Sequence, residues 1–100
     1  MDEAWRLTAT AARAAMAAGR LTPEALAEAC LARIAARDPE VRAFVAHAPD
    51  SVRAAARRAD PAAPLGGLPV GVKDVLDTAD LPTGYGSPIY AGFRPRADAA

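Results

Sequence analysis

Residues 64–74 read PLGGLPVGVKD, and this stretch decides how the rest of the chain is interpreted. The run from Leu68 to Val72 is short and apolar, as in a strand buried inside a sheet. It ends at Lys73, and a lysine is almost never fully buried without a partner. If Lys73 points into a site at the strand end, loss of water favours the neutral amine, which can act as a base. If the strand lies at a sheet edge, Lys73 marks only its solvent end. Spacing alone favours this second interpretation.

Two helices are predicted at the start of the chain. Thr8 can cap a helix over about residues 9–18, and Gly19 is placed to end it in the left-handed conformation. Thr22 caps a second helix that should run to about Arg37, where the following Asp-Pro pair disfavours helical geometry. Apolar residues recur along this helix at the spacing that turns one face toward a core: Leu26, Cys30 and Ile34, with Ala27 and Leu31 alongside.

One strand and one further helix are expected between these helices and the PLGGLPVGVKD stretch. Residues 41–46 are mostly apolar, with β-branched and aromatic side chains typical of a strand. Asp50 then starts a third helix, which has Val52 and alanines on one face and arginines on the other. From Pro61 onward glycine and proline are frequent, and residues 74–88 predict mostly loop. The predicted fold class is therefore α/β: N-terminal helices followed by the first strands of a mixed sheet, incomplete in this chain.

The composition excludes several classes of protein. Twelve basic and twelve acidic residues give a net charge of zero, which offers no broad attraction to nucleic acid. The single cysteine excludes an intrachain disulfide, and one cysteine with one histidine cannot build a metal cluster of the usual spacing. The first six residues lack the basic and apolar regions of a signal peptide, and no apolar run is long enough to cross a bilayer. We therefore expect a cytoplasmic protein with no cofactor and no metal.

Two other groups of residues offer alternative chemistry. Ser87 can pair with Lys73 as a nucleophile and its base, but a serine directly after Gly86 is more often part of a turn. Cys30 with His47 can supply a thiol nucleophile. However, Cys30 lies on the apolar stripe of the second helix, where a small buried packing residue is the better account. His47 is expected in a loop.

The order and spacing of several motifs resemble the amidase-signature family. The most specific block is Gly67–Asp74, and it is followed at the family's spacing by residues 77–79, 81–83, 86–87 and 95–99. The helical part, in residues 21–26, 30–34 and 38–39, resembles the family less specifically. The resemblance therefore covers nearly the whole chain. Asp80 departs from it, because the family usually has glycine at that position.

The resemblance implies a Ser–cis-Ser–Lys mechanism. The lysine that matches Lys73 acts as the base through a serine in a cis peptide bond, and a second serine attacks the amide carbonyl to form an acyl-enzyme. Backbone N–H groups would hold the oxyanion. The family carries both serines in a Gly/Ser-rich segment further along the chain than this sequence reaches. We therefore expect Lys73 to be the one catalytic residue here, in a fragment that is inactive alone.

Three functions stay open at this point. In the first, residues 1–100 are the N-terminal part of a single amidase domain, with residues 1–60 helical and residues 61–100 beginning the catalytic core. Such an amidase would act on a small-molecule amide, without contacting nucleic acid or membrane, and its full-length form could be a homodimer. In the second, the chain belongs to the amidotransferase subunit that forms amidated aminoacyl-tRNA with partner subunits. In the third, it is an alanine-rich helical interaction module without catalysis.

Overall fold

A computed structural model describes residues 3–100, and the regular structure within that range is entirely helical. Residues 1 and 2, the first of the six residues that lack signal-peptide features, lie outside the described residues. Three α-helices follow one another in chain order: α1 Ala9–Ala17, α2 Pro23–Val41 and α3 Pro49–Arg58. Short 3-10 helices occupy Ala4–Arg6 and Pro88–Tyr90. None of the helices in residues 3–100 has the length and apolar character needed to cross a membrane.

The described chain divides into two compact units. The first unit consists of Ala48–Pro69 together with the chain up to Ala43, so it contains all three α-helices. The second unit consists of Phe44–His47 and Val70–Ala100, so it contains Lys73 and the segments that follow it.

Helix α1 confirms the prediction from its capping residues. The Thr8 side chain accepts a hydrogen bond from the Ala11 N–H at 3.1 Å, which satisfies one free donor at the helix start. At the other end, Gly19 has φ +75° and its N–H donates to the Met16 carbonyl at 3.1 Å. The N–H of Arg20 donates to the Ala15 carbonyl at 2.9 Å, which completes the pair of bonds typical of a glycine-terminated helix.

Helix α2 begins as predicted at Thr22 but ends later than predicted. The predicted end at Arg37 is wrong, because the helix continues through Pro39 to Val41. Asp38 accounts for this extension. Its carbonyl accepts the N–H of Arg42, which has left-handed geometry with φ +55°, at 2.7 Å, and its carboxylate accepts the Ala43 N–H at 2.7 Å. These bonds satisfy backbone groups at the helix end and offset the free-energy cost of having Pro39 inside the helix.

Helix α3 begins at Pro49, one residue before the predicted start, and its preceding residue makes no side-chain capping bond. The helix buries none of its residues. It packs against α2, to which the Arg53 guanidinium is joined by an ion pair with Glu28, with 2.5 Å between Nε and Oε1. Arg53 also bonds Asp50 of its own helix at 3.0 Å. Because these charges are largely exposed, the pairs orient α3 more than they stabilise it.

The core lies in the first unit, where the first 3-10 helix, α1 and α2 meet. Its buried members are small or aliphatic: Ala4, Ala12, Ala15, Met16, Leu21 and Leu26. Cys30 and Leu68 pack against them from the side, so part of the predicted apolar stripe of α2 faces this core. Two guanidinium groups lie over the Trp5 ring, with the Arg6 and Arg33 carbons 4.6 and 4.2 Å from its centre. Alanine contributes little area, so this core depends on a few larger side chains.

A glycine pair lies near the end of the first unit. Gly66 and Gly67 have φ +54° and +95°, in the left-handed region that favours glycine. A methyl group on Gly67 would lie 2.6 Å from Pro23 Cγ and 3.3 Å from Ala59 Cβ. This turn therefore presses its backbone against the start of α2, and only glycine fits there.

The two predicted strands do not form among residues 3–100. Val41 is helical, residues 42–46 are irregular, and Val45 is 80% exposed. Residues 68–72 have no regular structure, and Val70 and Val72 are 65% and 54% exposed. A strand needs a neighbour to pair its backbone groups, and neither segment finds one in the described part of the chain. The sheet expected for the α/β fold is therefore not confirmed.

Candidate active site

Lys73 lies in the second unit, directly before a turn. Its carbonyl accepts hydrogen bonds from the N–H groups of Val75 and Leu76 at 2.8 and 3.1 Å, so its backbone is held. Its side chain is exposed, as are the neighbouring Val70 and Val72. The residues described here therefore do not form a dry pocket around the amine. Lys73 combines a fixed backbone with an amine that is open to water.

Asp74, which follows the lysine, connects this turn to a segment ten residues further on. Its Oδ1 atom accepts a hydrogen bond from the Gly84 N–H at 2.8 Å. Asp77 makes a second connection, because its carboxylate accepts a hydrogen bond from the Tyr85 hydroxyl. The backbone carbonyl of Asp77 also accepts the Ala99 N–H at 2.8 Å. Two aspartates thus attach the turn after Lys73 to neighbouring segments.

Threonines extend the same network. Thr83 is a buried polar residue of the second unit, only 1% exposed. Its hydroxyl accepts the Thr78 N–H at 3.3 Å, and its own N–H donates to the Phe93 carbonyl at 2.8 Å. Asp98 accepts the Ala79 N–H at 2.8 Å. In this unit, side-chain oxygens accept several of the backbone N–H groups of irregular segments.

An aromatic cluster supports the segment that contains Gly84. The Tyr85 ring lies 5.2 Å from Tyr90 and 6.3 Å from Phe93, measured between ring centres. Tyr85 adopts a positive φ of +54°, which is uncommon for a residue with a side chain. Its hydrogen bond to the Asp77 carboxylate raises the pKa of the Tyr85 phenol, and desolvation adds to the shift in the same direction. The phenol therefore stays protonated and keeps donating to Asp77.

The alternative nucleophiles do not assemble into a site. The Ser87 hydroxyl accepts the Ile89 N–H at 3.3 Å and caps the short 3-10 helix, which confirms the turn interpretation. Cys30 packs beside the core of the first unit, and burial raises the pKa of its thiol, which disfavours the reactive thiolate. His47 belongs to the second unit, where its exposed ring lies 5.7 Å from that of Phe44.

One feature of the sequence favours a functional role for Lys73. It is the only lysine among the twelve basic residues, and the other eleven are arginines. Arginine serves equally well wherever a positive charge must merely face solvent, but guanidinium stays protonated under all working conditions. A chain that uses arginine elsewhere and lysine at this position is consistent with a need for an amine that can lose its proton.

Comparisons with known proteins place this chain in a family. The amidase family model matches residues 25–100. The A subunit of glutamyl-tRNA(Gln) amidotransferase from Chloroflexus aurantiacus is 51% identical over 102 residues, an alignment that covers 95% of this chain and 21% of that relative. The same subunits from Oleidesulfovibrio alaskensis and Anaeromyxobacter sp. are 42% and 43% identical, over 100% and 97% of this chain and 22% and 21% of their own lengths. The chain thus spans about a fifth of the length of these relatives. No solved structure matches it. Because the family model covers more than half of the sequence, including the turn that carries Lys73, this chain belongs to the amidase family.

Proposed function

We propose that this chain contributes Lys73 as the base of an enzyme that cleaves a carbon–nitrogen amide bond in a small-molecule substrate. The observation that carries the proposal is the family match over residues 25–100, which includes the whole Gly67–Asp74 block. The same match argues against a purely structural interaction module. Residues 1–100 then form the N-terminal part of a single amidase domain.

The proposed chemistry is a proton relay that ends at the lysine amine. Neutral Lys73 would take a proton from a serine in a cis peptide bond, which in turn takes the proton of the nucleophilic serine. The nucleophile then attacks the amide carbonyl and the carbon–nitrogen bond breaks. An acyl-enzyme forms, and the leaving amine takes back the proton that the relay had passed to Lys73. Water completes hydrolysis. Both serines belong to a Gly/Ser-rich part of the family that lies outside residues 1–100, so this segment alone would be inactive.

The exposure of two valines near Lys73 supports the proposal that Lys73 is shielded from water in the complete domain. Val70 and Val72 are 65% and 54% exposed, and residues 68–72 leave their backbone groups without a strand partner. Pairing of this segment in a sheet would satisfy those groups and remove both valines from water. It would also exclude water from the end of the strand, where Lys73 lies. Desolvation of that kind favours the neutral amine that the relay needs.

A second candidate function follows from the names of the relatives. The three relatives described above are all A subunits of glutamyl-tRNA(Gln) amidotransferase. In that function, the ammonia released by amide cleavage would be passed on to an acylated tRNA. The enzyme would then need partner subunits, while Lys73 would have the same role.

Ammonia release by the full-length protein tests both candidates. The assay compares simple amides with glutamine, in the presence and absence of aminoacyl-tRNA and partner subunits. Release from amides alone supports the stand-alone amidase, and release that depends on tRNA supports the amidotransferase. Lys73→Ala should lower kcat by about 10²–10⁴-fold, the usual contribution of a general base. Arg37→Ala removes an equal charge from the exposed surface of α2 and should leave kcat unchanged. No amide cleavage with any of these substrates, or full activity of Lys73→Ala, would contradict the proposal.

A further inference from the structure

We propose that Asp74 is a positioning residue for Lys73. Its carboxylate fixes the turn that carries the lysine by accepting a hydrogen bond from the Gly84 N–H. This inference rests on the proposed role of Lys73 as the base, and it adds a residue whose contribution is to hold the amine in place rather than to contact the substrate.

The bond between Asp74 and Gly84 is short and partly shielded from water. The Oδ1 atom lies 2.8 Å from the Gly84 nitrogen, and both residues are half-buried. A carboxylate that accepts a backbone N–H makes a charge-assisted bond, which is roughly twice as strong as a neutral one. The backbone of Lys73 is held from the other side by its carbonyl bonds to Val75 and Leu76. The Lys73 side chain is exposed, so its amine can still reach a partner while its backbone is held.

Gly84 fits the carboxylate because it has no side chain. A methyl group built on Gly84 would lie 3.2 Å from the second carboxylate oxygen, Oδ2. A contact of that length is tight, so the carboxylate would have to shift. Glycine at residue 84 thus lets one oxygen of Asp74 take the N–H while the other lies beside the α-carbon.

The remaining connections explain why loss of Asp74 should disturb the lysine more than the unit as a whole. Asp77 still bonds the Tyr85 hydroxyl, and Thr78 still donates to Thr83, when the Asp74 side chain is removed. These bonds hold the far end of the turn to the same segment, residues 83–85. Asp74 makes the connection nearest to Lys73, so its removal frees the end of the turn that carries the amine.

The test compares three aspartate variants in the full-length protein, with ammonia release as the assay. Asp74→Ala should lower kcat by about 10²-fold, the effect of a displacement near 1 Å on a catalytic group, with KM within about twofold of the wild-type value. Asp74→Asn keeps an oxygen that can accept the Gly84 N–H and should retain most of the activity. Asp80→Ala is the matched control, because the Asp80 carboxylate is exposed and bonds none of the described residues. It should behave as wild type.

Two kinetic outcomes for the Asp74 variants would overturn the inference. Wild-type kcat for Asp74→Ala would show that the bond does not position the lysine. Equal losses for Asp74→Asn and Asp74→Ala would show that the charge matters rather than the bond. Lys73→Ala, assayed in parallel, separates the two proposals. Full activity of that variant refutes the proposed function itself, whereas an inactive Lys73→Ala beside a fully active Asp74→Ala refutes only the role of Asp74.

Amide hydrogen exchange at Gly84 provides a readout independent of activity. The Gly84 N–H should be protected in the wild type and in Asp74→Asn, and it should exchange faster when its acceptor is lost. If Asp74→Ala fails to fold, Gly84→Ala supplies the second variant, because its methyl group would lie 3.2 Å from Oδ2 and would push the carboxylate by a few tenths of an ångström while the charge stays. It should lower kcat and leave KM unchanged. Wild-type kcat for Gly84→Ala, or unchanged exchange in Asp74→Ala, would contradict the inference.

Discussion

Replacing Gly67 by alanine should destabilise the first unit by about 1–4.5 kcal/mol, because two separate costs meet at this residue. Its φ of +95° lies in the region that L-residues avoid, at a cost of about 1–2 kcal/mol. The new methyl group would also lie 2.6 Å from Pro23 Cγ, and overpacking of this kind costs about 1–3 kcal/mol. Alanine also restricts the unfolded chain more than glycine does, which recovers about 0.4–1 kcal/mol of stability. The net loss is a large share of the stability of a small domain, which is roughly 5–15 kcal/mol.

Two other glycines separate these costs. Gly19 has a positive φ of +75° but no atom within 4 Å of an added methyl group, so Gly19→Ala should show the backbone cost alone, about 1 kcal/mol. Gly71 has neither a positive φ nor a neighbour within 4 Å. Gly71→Ala should therefore leave the 100-residue protein unchanged or stabilise it by about 0.4–1 kcal/mol.

Urea unfolding of the 100-residue protein, followed by circular dichroism, measures the three variants. The fluorescence of Trp5, the only tryptophan, gives a second signal from the first unit. The expected order of stability is Gly71→Ala above Gly19→Ala, with Gly67→Ala lowest. Equal losses of unfolding free energy for Gly67→Ala and Gly19→Ala, with an unchanged slope of that free energy against urea concentration, would refute the close contact between the glycine turn and Pro23.

Three further predictions concern single side chains. Thr22→Ala removes the cap of α2 and should cost about 1 kcal/mol, whereas Thr10→Ala on the exposed surface of α1 should cost almost nothing, both measured by urea unfolding. Burial raises the pKa of the Cys30 thiol, so iodoacetamide should modify it more slowly in the folded protein than in urea; equal rates would show that Cys30 is not packed. The Asp77 carboxylate raises the pKa of Tyr85 above its ordinary value of 10.0. The bond between them therefore stabilises the folded protein below pH 10.0, and this stabilisation is lost as the pH rises through the higher pKa of Tyr85 in the folded state. Tyr85→Phe should abolish this alkaline loss of stability, as followed by thermal unfolding; an unchanged alkaline loss would assign it to other groups.

The predictions that the structure confirms rest on interactions within a few residues of sequence. The caps at Thr8 and Thr22 each bond an N–H three residues later, and the glycine end of α1 closes within five residues. The predicted end of α2 was wrong for a related reason. The penalty at Pro39 is visible in the sequence, but the compensating bonds made by Asp38 depend on the left-handed turn at Arg42.

The second unit was harder to predict because its bonds follow no period. Asp74 reaches Gly84, and Asp98 reaches Ala79, across ten and nineteen residues of irregular chain. Strand formation over residues 68–72 depends on a partner strand elsewhere in space, which no local pattern can supply. Spacing alone favoured a solvent-exposed Lys73, and the described residues do leave it exposed. Its catalytic role came from the family resemblance, and it remains a proposal.

The most direct test of the central claim is the turnover of Lys73→Arg in the full-length protein. Arginine keeps the positive charge and most of the length of the side chain but cannot give up its proton. If the neutral amine of Lys73 is the base, Lys73→Arg should lose as much turnover as Lys73→Ala, about 10²–10⁴-fold. Near-wild-type turnover of Lys73→Arg beside an inactive Lys73→Ala would show that this position supplies only a positive charge, and the role of Lys73 as base would be wrong.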